Sequence, residues 1–256
     1  MKANQIFQDN IKRIMFEGCW DKGPRPLWSD GQPANSLFVT GVFESYDLEK
    51  GEFPLTTLRK IPILSAIKEI LWIYQDQSND LGVLKEKYGV HWWDSWESQQ
   101  YPGTIGHRYG YTVKKWNQIE KLLNDLNTNP YSRRHIITLW DLQDFAESDG
   151  LLPCAFQTLW SVRHDHILDL TLIQRSSDYL TANHINKMQY VALQMMIAHY
   201  CGMRPGKFNH FVQNLHIYDR HIQMAERLIN MDSVAPQPEL LFHPTQDQFF
   251  SFSLAD

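Results

Sequence analysis

The chain has 256 residues but only three cysteines, and their positions exclude two classes of small stabilised fold. Cys19, Cys154 and Cys201 are odd in number and show no Cys-x-x-Cys spacing, so the sequence predicts neither a disulfide framework nor a zinc ribbon. Thiols without a pairing pattern are typical of a reducing compartment. We therefore expect a cytoplasmic protein.

Long apolar runs and an excess of basic charge are also missing. Residues 1–5 lack the apolar core of a signal peptide, and no run of residues reaches the length of a membrane span. The formal net charge of −5 argues against wholesale binding of nucleic acid, because neutralising a phosphate backbone needs a basic face. We expect neither a membrane nor a nucleic acid as a partner, and any anion site must be local.

Apolar and aromatic residues are plentiful, at 43% and 13%, which is enough to bury a substantial core. Their periodicity predicts helices at residues 3–18, 63–74, 116–126, 186–201 and 219–230. It predicts strands at residues 37–43, 134–140, 156–163, 167–175 and 209–218, and residues 90–96 and 103–110 are expected to be mostly irregular. Because helices and strands alternate without a break in composition, we expect one α/β or α+β domain over residues 1–256.

Cys154 follows a proline at the start of a predicted strand. An isolated cysteine at such a position is commonly a small buried hydrophobe. A catalytic role instead requires a lowered thiol pKa, which a neighbouring guanidinium can provide. A hairpin at residues 164–166 would bring Arg175, on the next strand, close to Cys154.

Arg133 and Arg134 directly precede the strand predicted at residues 134–140. Neighbours on a strand point to opposite faces, so the two arginines cannot serve one ligand in the same way. They are either a solvated surface pair, or one of them points into a site, or both reach across an interface at a bend. Arginine is favoured where phosphate oxygens need bidentate donors.

Glu69 lies in the middle of a largely apolar helix, and a separate segment, 92–96, contains three tryptophans. It belongs either to a polar helix face or to the interior, where its pKa would rise and it could exchange protons near neutrality. The tryptophans are either core residues or stacking faces for a flat heterocycle.

His216 and Tyr218 alternate on a strand and therefore share one face. With His221 and Cys201 they do not form a standard ligand set, so no metal is expected. A hydrolase using Cys154 and His216 is an alternative, but it leaves the arginines and Asn186 without a purpose.

Together these motifs resemble the thymidylate synthase family from about Arg25 to Phe252. The matching motifs are Ser132-Arg133-Arg134, Pro153-Cys154, Gln174-Arg175-Ser176-Ser177-Asp178, Asn186 with Tyr190, Pro205-Gly206, His216-Ile217-Tyr218, Glu69-Ile70-Leu71-Trp72 and Trp93-Asp94-Ser95-Trp96. The resemblance implies a large twisted mixed β-sheet flanked by helices, with the sheets of two protomers packed back to back in a homodimer.

The resemblance also implies a reaction. Cys154 would attack C6 of dUMP, and C5 would take a one-carbon unit from the co-substrate 5,10-methylenetetrahydrofolate, which then gives hydride and leaves dTMP and dihydrofolate. Residues with a catalytic role would be Cys154, Glu69, Tyr109, Arg175 and Asn186.

Binding roles follow from the same resemblance. The phosphate would be held by Arg25, Arg175 and Ser176 of one protomer and by Arg133 and Arg134 of the other. Asn186 would read N3–H and O4 of uracil, since an amide both donates and accepts. The remaining assignments are Gln174 to the substrate, His216 and Tyr218 to the sugar hydroxyl, and Trp93 and Asp178 to the folate.

Three departures from the family pattern leave the product open. Ala155 stands where many members have His, Asn214 stands where Asp is usual, and the chain stops at Asp256, before the tail that closes over the folate. The last two are shared by deoxynucleotide hydroxymethylases, in which water captures the methylene group. The alternatives are therefore a dUMP hydroxymethylase and a catalytically idle nucleotide-binding or regulatory homologue.

Overall fold

A six-stranded mixed sheet organises the computed structural model, which describes residues 1–233 and 235–256. Its strands are β1 (Cys19–Trp20), β2 (Ser36–Asp47), β3 (Ile136–Thr138), β4 (Ala155–Arg163), β5 (Ile167–Asp178) and β6 (Arg204–Tyr218), and they lie in the order β1-β2-β6-β5-β4-β3. Neighbouring strands are antiparallel except β5 and β6, which run parallel. A parallel pair needs a crossover connection, and a helix supplies it here.

That crossover is the longest helix of the described residues, and shorter helices surround it. The helices are α1 (Lys2–Glu17), α2 (Ile63–Tyr74), α3 (Leu81–Tyr88), α4 (Gly110–Lys115), α5 (Gln118–Thr128), α6 (Leu142–Glu147), α7 (Asn183–Tyr200) and α8 (Ile222–Ile229). Single 3-10 turns lie at Leu48–Lys50, Asp94–Trp96, His164–His166, Asp219–His221 and Phe249–Ser251. None of these helices is long and apolar enough to cross a membrane.

The main core forms where α2 and α7 pack on the central strands. Leu170 and Leu172 of β5 and Ile197 of α7 are fully buried in it. Complete burial of a large apolar side chain contributes about 1.5–3 kcal/mol, so this layer holds α7 firmly against β5 and β6. The first turn of α7 therefore has a fixed position relative to the ends of both strands.

The sequence predictions of a mixed α/β architecture and of the hairpin at residues 164–166 are confirmed. Helices α3, α4 and α6 and the two-residue strand β1 were not predicted. Two of these helices begin at an aspartate N-cap: the Asp80 carboxylate accepts from the N–H of Val83, and that of Asp141 from the N–H groups of Gln143 and Asp144. Caps of this kind are visible in the sequence, but six- to eight-residue helices contain too few turns for a clear apolar period.

Candidate active site

A cavity of about 880 Å³ opens where β5 and β6 end and α7 begins. Parallel strands bring their carboxyl ends to the same edge of a sheet, and such edges commonly bind ligands. The predicted site residues that line this cavity are Arg25, Glu69, Trp93, Tyr109, Cys154, Gln174, Arg175, Ser176, Asp178, Asn186, His216 and Tyr218.

Arg175 holds the segment that carries the thiol. Its backbone N–H donates to the carbonyl of Cys154 at 2.9 Å, and its guanidinium donates to the carbonyl oxygens of Leu152 at 2.7 Å and Pro153 at 3.0 Å. The Nη2 atom lies 3.5 Å from Cys154 Sγ. The hairpin of β4 and β5 thus produces the proximity that the sequence predicted.

The thiol itself is not pre-ionised. Burial raises the pKa of Cys154, and the positive charges of Arg175 and Arg25 offset this only in part. The sequence suggested that a neighbouring guanidinium could lower the thiol pKa. In the unliganded site the pKa is instead raised, because the loss of solvation outweighs the two guanidinium groups.

Glu69 projects from α2 into the interior and is 7% exposed. Burial raises the pKa of its carboxyl to about 7, although the indoles of Trp93 and Trp92 and the amide of Gln189 favour the charged form. The indole N–H of Trp92 donates a hydrogen bond to the Glu69 carboxylate. The buried interpretation of Glu69 is thus the correct one, and its proton is exchangeable near neutrality.

Tyr109 occupies a strained backbone position beside Glu69 and Cys154. Its φ of 51° is unusual for a bulky side chain, and such outliers gather at functional sites. The ring packs edge-on against Trp93 with centroids 5.1 Å apart. Burial, together with the nearby Cys154 and Glu69, raises the phenol pKa well above its usual value, so the hydroxyl keeps its proton.

Asn186, in the first turn of α7, is held by two neighbouring amides. Gln174 Nε2 donates to Asn186 Oδ1 at 3.0 Å, and Asn186 Nδ2 donates to Gln189 Oε1 at 3.0 Å. An amide has two donor hydrogens and two acceptor lone pairs. One N–H and one lone pair of Asn186 therefore remain for a ligand.

His216 and Tyr218 lie side by side on β6, with ring centroids 5.1 Å apart. The Nδ1 atom of His216 lies 2.9 Å from Oδ1 of Asn214. Burial lowers the pKa of His216, although the charge of Asp178 opposes this. The ring is therefore neutral near pH 7, with its proton on Nδ1 and its Nε2 left as an acceptor.

Asp178 ends β5 and also shapes the turn that leads into α7. Its carboxylate accepts hydrogen bonds from the N–H groups of Leu180 at 3.1 Å and Thr181 at 3.2 Å, and from the Thr181 hydroxyl. These bonds fix the turn from which Asn186 is presented.

The whole chain resembles known proteins that share one activity. The family model described as Thymidylate synthase matches residues 5–256. The chain belongs to the thymidylate synthase family. The thymidylate synthases of Streptococcus pneumoniae strain 70585 and Streptococcus suis strain 05ZYH33 are each 55% identical to it over 259 aligned residues, which cover 100% of this chain and 92% of theirs.

A solved structure gives the same result for the fold. The thermostable thymidylate synthase A from Bacillus subtilis superposes with a TM-score of 0.91 at 35% sequence identity, over 99% of this chain and 93% of that one. The chain is thus a methyltransferase of the thymidylate synthase type, and these matches support thymidylate synthesis over both alternatives, the hydroxymethylase and the idle homologue.

In this member of the thymidylate synthase family, two of the residues predicted to bind phosphate lie outside the cavity. Arg133 and Arg134 are exposed beside the start of β3, and Arg134 lines a separate cavity of about 300 Å³. The structure therefore does not bring the arginine pair to Cys154 within one protomer.

Sequence reasoning missed two residues of the site. Gln189 holds Asn186, and the available signal was their i, i+3 spacing on one helix. Asn214 was noted only as a departure from the family pattern, whereas it is the partner of His216.

One group of side chains away from the cavity has the composition of a metal site. The ligand atoms of His107, Asp144 and Glu147 lie within 4.8 Å of one another. Asp144 is fully buried, and its oxygens accept from the hydroxyl of Thr112 at 2.7 Å and the ammonium of Lys115 at 2.7 Å. Those two bonds account for the carboxylate without a metal ion.

Proposed function

We propose that the chain converts dUMP to dTMP by reductive methylation at C5 in the cavity that contains Cys154. The observation that carries this proposal is the placement of a thiol, a guanidinium and an oriented amide around one cavity, on Cys154, Arg175 and Asn186. The thiol supplies a nucleophile, the guanidinium binds an anion, and the amide recognises a pyrimidine edge.

Phosphate binding is assigned to Arg25, Arg175 and Ser176, which line the cavity together. Arg175 already donates to the Leu152 and Pro153 carbonyl oxygens, so its guanidinium is held in place before a ligand arrives. An orientation fixed in advance lowers the entropic cost of binding. Arg25 lies in a loop and sits 5.9 Å from the centroid of the Trp96 ring.

Uracil recognition is assigned to Asn186. Its Oδ1 would accept from N3–H and its Nδ2 would donate to O4, using the two positions that Gln174 and Gln189 leave free. His216 and Tyr218, farther along the cavity wall, would hold the 3′-hydroxyl, with the free Nε2 of His216 as an acceptor.

Cys154 would release its thiol proton to water and add to C6 as the thiolate. The negative charge that then develops on the ring at O4 would be met by Asn186 and by the proton-exchanging group Glu69. Tyr109 keeps its proton, which supports a role as a neutral hydrogen-bonding group beside C5 rather than as an anionic base.

The co-substrate 5,10-methylenetetrahydrofolate supplies the one-carbon unit and the hydride when it is bound. The fit of this chain to it rests on the aromatic wall of the cavity, where Trp92, Trp93 and Trp96 offer faces for a flat ring. Trp93 and Asp178 are proposed to contact it. The volume of about 880 Å³ lies within the usual range for ligand sites.

A homodimer is also proposed, with the sheets packed back to back. Phe43 of β2, Phe211 of β6 and Ile173 of β5 are aligned in register across three strands. Phe43 is 61% exposed, and the other two are half-buried. An exposed apolar row on a sheet face is typical of an interface. Arg133 and Arg134, which do not reach the cavity of their own protomer, would then serve the phosphate site of the partner.

Product analysis tests the reaction. The protein is incubated with dUMP and 5,10-methylenetetrahydrofolate, and the nucleotide product is identified by mass. We expect dTMP together with the absorbance of dihydrofolate. Formation of 5-hydroxymethyl-dUMP with tetrahydrofolate would instead identify a hydroxymethylase, and binding of dUMP without any product would identify an idle homologue.

Subunit mixing tests the shared site. Cys154→Ala and the double variant Arg133→Ala/Arg134→Ala are each expected to be inactive alone. After exchange of subunits at equal concentrations, half of the dimers are mixed and each contains one intact site, so activity should return to about a quarter of the wild-type value. If activity does not return although mixed dimers form, the arginines do not act across the interface.

A further inference from the structure

A cluster of buried ionisable groups adjoins the pyrimidine end of the cavity and has no part in the chemistry proposed above. Its members are Glu44 on β2, Lys187 on α7 and His210 on β6, none of them more than 3% exposed. Glu44 and His210 are direct neighbours across the strand pair. Buried ionisable groups are costly unless they are paired, so a cluster of three needs a physical account.

Glu44 and Lys187 form a buried ion pair. Lys187 Nζ lies 2.7 Å from Glu44 Oε2, which also accepts from the Tyr46 hydroxyl at 2.8 Å, while Glu44 Oε1 accepts from Asn10 Nδ2 at 2.9 Å. The third member, His210, does not take part in this ion pair, and its hydrogen bond is made to Gln174 on the side of the cavity.

His210 Nε2 lies 2.9 Å from Oε1 of Gln174, which is the residue that holds Asn186. The direction of this bond is determined by a third group. Gln174 Nε2 lies 3.0 Å from the carbonyl oxygen of Ser176, which can only accept. The Gln174 amide must therefore turn its nitrogen toward Ser176 and its oxygen toward His210, so His210 Nε2 has to carry the proton.

The surroundings of His210 agree with a neutral ring of this tautomer. The ring is fully buried, and among the described residues its Nδ1 has no hydrogen-bond partner. Burial lowers the pKa of His210 to about 3, with Lys187 acting in the same direction and Glu44 in the opposite one. A second ring proton would have no acceptor, whereas the proton on Nε2 has Gln174.

We propose that His210 is a positioning residue for pyrimidine recognition: its Nε2–H holds the oxygen end of the Gln174 amide while the Ser176 carbonyl holds the nitrogen end, and the amide held in this way in turn fixes the amide of Asn186. This inference rests on the proposed binding of dUMP. In the observed orientation the amide of Asn186 complements uracil, with its oxygen for N3–H and its nitrogen for O4. The reversed amide would complement cytosine, which presents an acceptor at N3 and a donor at its amino group. His210 thus favours uracil without touching it.

The test compares His210→Phe with His210→Gln. Phenylalanine keeps a flat ring but removes the donor, whereas glutamine restores an N–H group at a similar distance from the backbone. The matched control is His184→Phe, because His184 is 1% exposed and faces the same Lys187, but makes no contact with Gln174 among the hydrogen bonds of the described residues. Each variant is assayed for kcat and KM with dUMP, and for the Kd of dUMP and of dCMP by calorimetry.

We expect His210→Phe to raise KM for dUMP by about 5- to 100-fold, because it leaves the buried oxygen of Gln174 without a donor. KM should change more than kcat, and the preference for dUMP over dCMP should shrink. His210→Gln should recover most of the preference, and His184→Phe should leave it unchanged. An unaltered preference in His210→Phe, or an equal loss in His184→Phe, would overturn the proposal.

A measurement on the wild-type protein covers the case in which His210→Phe does not fold. Nitrogen-15 NMR of the histidine side chains should show a neutral His210 ring protonated on Nε2, and a proton on Nδ1 would contradict the proposed relay. If the wild-type protein shows this tautomer but neither binds nor converts dUMP, the proposed function fails while the hydrogen-bond relay stands.

Discussion

The Oδ1 atom of Asn214 lies 2.9 Å from the Nδ1 atom of His216, two residues along β6. Residues i and i+2 of a strand share a face, so the contact follows directly from the sequence spacing. An amide oxygen accepts the Nδ1 proton as a carboxylate does, and it adds no charge to the cavity. The departure from the family's usual Asp therefore preserves the contact that orients His216.

Asn214→Ala should weaken nucleotide binding because it leaves the buried Nδ1–H group of His216 without an acceptor. Such a loss costs about 1–3 kcal/mol, so KM for dUMP should rise by about 5- to 100-fold. Asn214→Asp keeps the acceptor and should remain within a few-fold of wild type. Steady-state kinetics of the two variants side by side decides the matter, and equal KM values for Ala and wild type would exclude this role.

Cys154→Ala should abolish turnover and retain binding. Removal of a nucleophile commonly lowers kcat by a factor on the order of 10⁴ or more, whereas the proposed phosphate and uracil contacts do not involve the thiol. Product formation is followed by mass and dUMP affinity by calorimetry. Cys201→Ala is the matched control, since Cys201 is also a half-buried free cysteine but does not line the cavity. Substantial turnover in Cys154→Ala would mean that the nucleophile is misassigned.

Glu69 should make both stability and activity depend on pH. Its pKa is raised from an ordinary value of 4.5 to about 7, so the folded chain favours the protonated carboxyl. The resulting stabilisation, about 3 kcal/mol, is complete below pH 4.5 and is lost as the pH rises to 7. Denaturant titrations between pH 4 and 8 should show this decline in the wild type.

Glu69→Gln should remove the decline in the free energy of unfolding between pH 4.5 and 7. It should also remove the change of slope near pH 7 from the plot of kcat against pH. Glu226→Gln, which changes an exposed glutamate of α8, provides the control and should leave both profiles intact. A wild-type stability that rises between pH 4.5 and 7, after subtraction of the control, would contradict the buried assignment.

The thiol of Cys154 should alkylate slowly at neutral pH in the free protein. Burial raises its pKa, and Arg25 is one of the two charges that oppose the rise. When the rate of reaction with iodoacetamide is plotted against pH, it should therefore reach half of its maximum at a pH above the ordinary pKa range of cysteine. Arg25→Ala should move this midpoint to a still higher pH. Lys22→Ala changes an exposed cation of the same loop that does not line the cavity, and it should leave the midpoint in place. A midpoint below pH 8 would show that the thiol is pre-ionised.

Phe43→Glu should disrupt the proposed dimer by placing a charge in the apolar row with Phe211 and Ile173. Sedimentation velocity should show a monomer, or a dimer weakened by at least about tenfold, since an unpaired buried charge is costly. Phe16→Glu is the control because Phe16, on α1, is even more exposed at 80%. A wild-type chain that sediments as a monomer would remove the basis of the shared phosphate site.

The sequence predicts the site better than it predicts the surrounding turns. Residues such as Gln174, Arg175 and Asn186 follow from ordered motifs, and the hairpin at residues 164–166 follows from turn length and apolar alternation. The short helices α4 and α6 could not be found in this way, because burial by distant parts of the chain stabilises them more than local propensity does.

Electrostatic balance is the other quantity that the sequence does not determine. The neighbours of Cys154 indicated a lowered pKa, but the amount of solvent removed from the thiol is known only once the fold is known. The relay from His210 to Asn186 was also invisible, since it joins β6, β5 and α7 through side chains that no short motif connects.

The parallel pairing of β5 and β6, with α7 as their connection, places most of the groups that we propose to recognise the nucleotide in residues 174–218. That half of the active site is thus encoded as one uninterrupted β-α-β segment, while Glu69, Tyr109 and Cys154 arrive from earlier parts of the chain. New termini introduced by circular permutation in the loop between α3 and α4 would leave the segment whole, whereas a break within α7 would separate Asn186 from His216. Most of the proposed recognition of the nucleotide is therefore a property of one modular piece of the polypeptide, to which the rest of the chain adds further phosphate contacts and the nucleophile.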